Sequence, residues 1–108
     1  MKKLVSLLLV LVLSLSLFAV AHAEPAKKVG VAMPTMDLQR WIQDGDNMKK
    51  QLEAAGYEVD LQYANNDVAT QVSQIENMLL NEVEVLVIAS IDGGALSTVL
   101  QQAKEAGV

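Results

Sequence analysis

The 108-residue sequence contains no cysteine and only one histidine, His22. Without cysteine the chain has no disulfide, no thiolate metal ligand and no cysteine nucleophile. His22 belongs to an N-terminal segment that we expect to be removed, which excludes a Ser-His-Asp triad and a histidine-based zinc site from the mature protein. The remaining residues show no carboxylates at calcium-loop spacing and no catalytic constellation, so we expect no metal, no cofactor and no enzymatic activity.

The first 23 residues have the three parts of a secretory signal peptide. Lys2 and Lys3 give a positive start, residues 4–20 are almost wholly apolar, and Ala21-His22-Ala23 is an A-x-A cleavage site. The apolar run is a little short of the ~20 residues that a spanning helix needs, which favours cleavage over a membrane anchor. We predict a periplasmic protein that is exported and cleaved after Ala23, with residues 24–108 as its mature part.

The mature part is acidic. Removal of Lys2 and Lys3 leaves six basic and thirteen acidic residues, a net charge of −7. Such a charge repels nucleic acid and anionic lipid, so neither is expected as a partner. Valine, leucine and isoleucine are still frequent enough after residue 23 to form a packed core.

Three strand patterns alternate with three helical patterns along residues 24–108. Residues 29–33 and 85–89 are continuous apolar runs, typical of strands covered on both faces, whereas residues 57–63 alternate between polar and apolar. Apolar residues at spacings of three and four predict the helices that lie after each strand. These helical stripes are Gly45, Met48, Leu52 and Ala55; Val68, Val72, Ile75 and Leu79; and Leu96, Val99, Leu100 and Ala103.

Three successive strand-helix units predict an α/β fold with a doubly wound parallel sheet. The alternating second strand is expected at an edge, which favours the strand order 2-1-3. In that order the third strand needs a fourth beside it, and Val108 looks like the first residue of that missing strand. We therefore predict that residues 24–108 are a fragment, part of one lobe of a larger protein.

Candidate ligand-binding residues follow the first and third predicted strands, whose carboxyl ends meet at one edge of the sheet. Arg40 and Trp41 follow the first strand, and Asp92 follows the third. An indole covers the apolar C–H face of a pyranose, while guanidinium and carboxylate groups bond its hydroxyls. The alternatives are structural: Trp41 covers the start of the first helix, Arg40 is a solvated charge, and Asp92 caps the third helix.

The sequence resembles the N-terminal lobe of periplasmic sugar-binding proteins of the ribose, galactose and xylose group, most closely the xylose and multiple-sugar binders. Residues 29–34, the Arg40-Trp41 pair, residues 74–78 and residues 85–93 carry this resemblance. It implies a partial type I periplasmic binding protein fold, with Arg40 and Trp41 lining the sugar cleft. Asp92 lies on a loop that approaches the same cleft in that family.

The resemblance also implies a mechanism without chemistry. Two lobes close over an aldopyranose such as xylose, glucose or galactose, and the closed complex delivers it to the permease of an ABC transporter. Some relatives also present the closed form to a chemoreceptor or a sensor kinase.

Other functions that this fold class serves fit the sequence less well. A nucleotide-binding enzyme would carry G-x-G-x-x-G after the first strand, where Gly30 and Pro34 stand instead. The effector domain of a sugar-responsive repressor would have a DNA-binding motif in place of the signal peptide. A furanosyl ligand on the same scaffold stays open, as does a small secreted interaction module or truncated product that binds no sugar.

Overall fold

The computed structural model describes residues 26–108, so the predicted signal peptide and its cleavage site lie outside the described residues. Strands and helices alternate along this part of the chain. They are β1 (Lys28–Met33), α1 (Gln39–Ala54), β2 (Glu58–Tyr63), α2 (Val68–Leu80), β3 (Val85–Ile88) and α3 (Ser97–Glu105), the last preceded by a 3-10 turn at Gly94–Leu96. None of these helices is long and apolar enough to cross a bilayer.

The three strands form a parallel sheet in the order β2-β1-β3, which confirms the predicted order. β1 lies in the centre, and its residue Val29 is aligned with Val59 on one side and with Val85 on the other. Because the strands are parallel and joined by helical crossovers, all three carboxyl ends lie along the same edge of the sheet.

Alternate residues of β1 belong to two separate apolar clusters, because successive side chains of a strand point to opposite faces. Val29, Val31 and Met33 form the buried centre of one cluster, which α1 covers. Ala32 belongs to the other cluster, which α2 and α3 cover. β1 is thus buried on both faces, as its uninterrupted apolar sequence predicts. The buried residues of the second cluster are Ala32, Ile75, Met78, Val83, Leu96 and Val99.

β3 is less buried than its apolar sequence predicts. Within residues 26–108 it pairs on one side only, with β1. Leu86 and Ile88 pack against the cluster under α2 and α3, whereas Val85 is 48% exposed. The strand is also one residue shorter than predicted and ends at Ile88.

The turn that joins β2 to α2 is set by three consecutive polar residues. Asn65 and Asn66 have φ angles of 53° and 56°, a left-handed conformation that asparagine tolerates better than most residues. Asp67 then caps α2, since its Oδ1 accepts a hydrogen bond of 2.7 Å from the backbone N–H of Thr70. Aspartate is among the residues preferred at this position, and Asp67 is the N-cap of α2.

α3 packs through a narrower stripe than predicted. Val99 and Ala103, four residues apart, are buried, but Leu100 is 44% exposed. Leu100 follows Val99 directly and therefore lies about 100° around the helix from it. Its assignment to the buried stripe was wrong because the described residues cover only one side of α3.

Candidate functional site

The candidate site lies where β1 and β3 end. The ladder between the two strands continues to the hydrogen bond of 2.9 Å from the Ala89 N–H to the Ala32 carbonyl. Beyond this bond the chain leaves the sheet in two loops, residues 34–38 before α1 and residues 89–93 before the 3-10 turn. The candidate residues Arg40, Trp41 and Asp92 therefore follow two adjacent strand ends at one edge of the sheet, as predicted.

The loop after β1 is anchored at its base and exposed at its tip. Pro34 and Thr35 are buried, and the carbonyl of Pro34 accepts a hydrogen bond of 2.8 Å from the Asn66 N–H. The Thr35 hydroxyl accepts another, of 3.0 Å, from the Asp37 N–H. Met36 and Leu38 are 58% and 59% exposed, so an apolar rim stands beside the first turn of α1.

Arg40 and Trp41 lie together in the first turn of α1. The indole of Trp41 is half-buried and packs against the β1 residues of the cluster under α1. The guanidinium carbon of Arg40 lies 5.1 Å from the centre of the Trp41 ring, a cation–π distance. Arg40 Nε also lies 3.5 Å from Asp44 Oδ2, one turn along the helix. The fixed indole and the exposed guanidinium thus form one composite surface.

Tyr63 supports this turn from the end of β2. Its hydroxyl donates a long hydrogen bond of 3.4 Å to the Trp41 carbonyl and lies against Gly45, which is buried within α1. Burial of the ring, and secondarily the charge of Asp46, raises the pKa of the Tyr63 hydroxyl above its ordinary value of 10.0. The hydroxyl therefore remains protonated and able to donate at neutral pH.

An open cavity of about 270 Å³ adjoins Trp41 between α1 and β3. Its floor is apolar, and Asp44 and Asn47 supply its charged and amide groups. Neither Arg40 nor Asp92 lines it. The lining residues are Met33, Trp41, Asp44, Asn47, Met48, Val87, Ile88 and Ala89. A larger depression of about 650 Å³ lies at the opposite end of the sheet, near Val83 and Val108, away from the candidate residues.

Asp92 has a structural role in the loop after β3. Its Oδ1 accepts a hydrogen bond of 3.0 Å from the backbone N–H of Gly94, at the start of the 3-10 turn. This hydrogen bond shapes the turn before the 3-10 segment. The alternative that Asp92 caps the third helix is wrong, because the N-caps of the 3-10 turn and of α3 are Gly93 and Leu96, and neither has a side-chain cap hydrogen bond. The side chain of Asp92 is exposed, and its contact with a ligand stays a prediction.

The sequence analysis missed Gln71, a fully buried side chain of α2. Its Nε2 donates a hydrogen bond of 2.9 Å to the Ala89 carbonyl, and its Oε1 accepts one of 3.0 Å from the Ile91 N–H. The helical spacing indicates that this residue is buried, because position 71 lies four residues before Ile75 and seven before Met78 on the buried face. A glutamine in that stripe needs internal partners.

Gln74 makes a related contact at the end of β2. Its Nε2 donates a hydrogen bond of 3.0 Å to the Tyr63 carbonyl, so α2 holds the last residue of β2 as well as the loop after β3. The buried Oε1 of Gln74 has no hydrogen-bond partner among the described residues.

The family model described as periplasmic binding protein domain matches residues 29–108 of this chain. Over its full length the chain is 50% identical to the multiple sugar-binding periplasmic receptor ChvE of Rhizobium radiobacter, of which it covers 31%. Over 98% of its length it is 42% identical to the D-xylose-binding periplasmic protein of Escherichia coli K12, of which it covers 32%. The chain thus spans about a third of the length of these relatives.

A solved structure shows a similar arrangement of this part of the chain. It is that of an ABC transporter solute-binding protein from Clostridium phytofermentans with bound β-D-glucose. The match covers 76% of this chain and 25% of that one, with 72% sequence identity and a TM-score of 0.75.

Proposed function

The chain belongs to the periplasmic binding protein domain family, and on this premise we propose that it forms one wall of a monosaccharide-binding cleft in an exported solute-binding protein. The proteins most similar to it include sugar-binding periplasmic proteins and a glucose-bound solute-binding protein of an ABC transporter. The family is one of binding proteins, so we propose binding and release of the sugar without a chemical step.

The observation that carries this proposal is the Arg40-Trp41 surface at the carboxyl edge of the sheet. Packing against β1 fixes the indole, so little side-chain entropy is lost when a sugar stacks on it. The Arg40 guanidinium is exposed and has several N–H groups to donate to ring and hydroxyl oxygens. The flat apolar indole beside the N–H donors of the guanidinium suits an aldopyranose, which has an apolar C–H face and hydroxyl groups around its ring.

Xylose, glucose and galactose are the ligands that we propose. The C–H groups on one face of a pyranose ring match the flat indole of Trp41. Asp92, exposed on the neighbouring loop, is proposed to accept hydrogen bonds from two adjacent sugar hydroxyls through the carboxylate oxygen that does not bond the Gly94 N–H.

We propose that transport depends on closure of the cleft, which is open when it holds no sugar. A sugar that touches both lobes binds the closed state better than the open one and so shifts the population toward closure. We propose that residues 24–108 are part of one lobe and that the closed complex delivers the sugar to the permease of an ABC transporter. Presentation of the closed form to a chemoreceptor or a sensor kinase would use the same change of shape.

We propose that the protein lies in the periplasm after cleavage of the signal peptide behind Ala23. Cleavage there removes Lys2, Lys3 and the apolar segment and leaves the acidic, cysteine-free part of the sequence.

Isothermal titration calorimetry of the protein expressed from its complete reading frame tests this function. D-xylose, D-glucose and D-galactose are titrated in turn, with methyl β-D-ribofuranoside as a sugar locked in the furanose form. We expect saturable 1:1 binding of at least one aldopyranose. Binding of the furanoside alone would favour the furanosyl alternative, and no heat with any of the four would favour an interaction module that binds no sugar.

A further inference from the structure

Gln71 is a buried polar residue whose two side-chain hydrogen bonds both go to one loop. The loop follows β3, and the bonded groups are the Ala89 carbonyl and the Ile91 N–H. The intervening residue Ser90 and the next residue Asp92 are exposed at the carboxyl edge of the sheet. The carboxamide of Gln71 therefore holds the backbone of Ala89 and Ile91, and the exposed residues Ser90 and Asp92 directly follow these two.

The register between β1 and β3 explains why this loop needs a side-chain partner. Ala32 is aligned with Ile88, and its carbonyl accepts from the Ala89 N–H. In a parallel ladder the next β1 residue to face β3 is two positions further along, at 34, and its N–H would bond the Ala89 carbonyl. Residue 34 is proline, which has no N–H. The ladder thus loses its donor at the point where Gln71 Nε2 supplies one.

The second hydrogen bond of Gln71 also replaces a missing partner of the ladder between β1 and β3. By the same register the Ile91 N–H would bond the Pro34 carbonyl. That carbonyl accepts from the Asn66 N–H, and the Ile91 N–H bonds Gln71 Oε1 instead. A buried backbone group left without a partner is destabilising, so loss of the carboxamide would drive the loop to rearrange toward water. One side chain therefore sets the path of the loop at the cleft edge.

We propose that Gln71 is a positioning residue of the sugar site: it holds the Ala89–Ile91 backbone, and thereby sets where Ser90 and Asp92 stand at the cleft. Gln71 is buried and acts through the loop without touching the sugar. This inference rests on the proposed function, because it assigns the loop after β3 to the same cleft as Arg40 and Trp41.

The test uses two variants of the protein expressed from its complete reading frame. Gln71→Leu has a similar volume and lacks both polar atoms, and Gln71→Asn keeps the carboxamide but is one methylene too short to reach both partners. Ile75→Val is the control, since it loosens the same buried face of α2 one turn away. Two quantities are measured for each: amide hydrogen exchange at Ile91 relative to Val31, and affinity for the aldose that wild type binds best.

We expect both Gln71 variants to speed exchange at Ile91 relative to Val31 and to weaken aldose binding about tenfold, since each leaves at least one buried group unpaired. Ile75→Val is expected to lower the melting temperature without changing either quantity. If one Gln71 variant does not fold, the other decides.

Unchanged affinity in a folded Gln71 variant would overturn the positioning role, whether or not exchange at Ile91 rises. An equal loss of affinity in Ile75→Val would overturn it as well, because general loosening of α2 would then explain the effect. Wild-type protein that binds no aldose overturns the proposed function itself, and the wild-type titration distinguishes that failure from a failure of Gln71.

Discussion

The guanidinium of Arg40 lies over the indole of Trp41, with its central carbon 5.1 Å from the ring centre. The side chain of Arg40 is 77% exposed, and among residues 26–108 Asp44, at 3.5 Å, is the one partner on its other side. An exposed ion pair of this kind contributes about 1 kcal/mol or less. Arg40 can therefore leave Asp44 at little cost, and a sugar that stacks on Trp41 shares the ring surface with the guanidinium or displaces it.

We predict that Trp41→Ala weakens aldose binding by at least ~1 kcal/mol, because the stacking surface and its apolar area are lost. Calorimetry on the protein expressed from its complete reading frame gives the number. Tyr57→Ala is the matched control: it also removes a partly exposed aromatic ring, but just before β2, at the opposite end of the sheet. Equal affinities for wild type and Trp41→Ala would remove Trp41 from the sugar site.

The sheet was predictable from the sequence because burial leaves a direct pattern in a strand. β1 is apolar throughout and buried on both faces, and β2 alternates and lies at an edge. These two patterns favour the order β2-β1-β3 over 3-2-1, and the structure has that order. The resemblance to xylose and multiple-sugar binders is confirmed, since the family model covers 29–108 and relatives of both kinds match over nearly the whole chain.

The side-chain contacts of the site were less predictable because they join residues far apart in the sequence. Gln71 bonds groups 18 and 20 residues away, and only its place in an apolar stripe marks it in the sequence. The pairing of Arg40 with Asp44 has the four-residue helical spacing and was missed for a different reason. The sequence predicts Arg40 as a ligand residue, and an exposed guanidinium can serve in that role and in the ion pair with Asp44.

Gly45 allows α1 to approach β2, and we predict that Gly45→Ala lowers the free energy of unfolding by about 1 kcal/mol. The new methyl group would overlap the Tyr63 hydroxyl and lie 3.1 Å from its Cζ and 3.2 Å from Leu61 Cδ1. Overpacking of this kind costs ~1–3 kcal/mol, and the better helix propensity of alanine returns up to ~1. Urea denaturation measures the difference.

Two further variants separate the steric effect of Gly45→Ala from others. Adding Tyr63→Phe removes the hydroxyl that the methyl group meets, so the double variant should recover part of the lost stability. Gly93→Ala is the neutral control, because its φ is −62° and the nearest atom to a new Cβ, Ser90 Oγ, is 3.8 Å away. A Gly45→Ala protein as stable as wild type would show that Tyr63 does not restrain α1.

Export is predicted to leave Glu24 as the first residue of the mature protein. Signal peptidase accepts only small side chains at the A-x-A positions, so Ala23→Leu should slow processing and retain the N-terminal segment. Ala26→Leu, three residues further on, makes the same change outside the cleavage motif and should be processed normally. N-terminal sequencing and the intact mass of the secreted product give the cleavage position, and a start at any other residue contradicts the prediction.

The cap of α2 predicts a pH dependence of stability. The hydrogen bond from the Thr70 N–H stabilises the ionised Asp67 carboxylate and lowers its pKa below the ordinary value of 3.8. A group whose pKa is lower in the folded state stabilises the fold above the unfolded pKa, and this contribution is lost as the pH falls from about 4 through the folded value.

Asp67→Asn keeps an acceptor in the same place but does not titrate. We therefore expect the melting temperature of wild type, relative to that of Asp67→Asn, to fall between about pH 5 and pH 2, and differential scanning calorimetry across that range measures it. Parallel curves for the two proteins would mean that the charge of Asp67 contributes nothing to the cap.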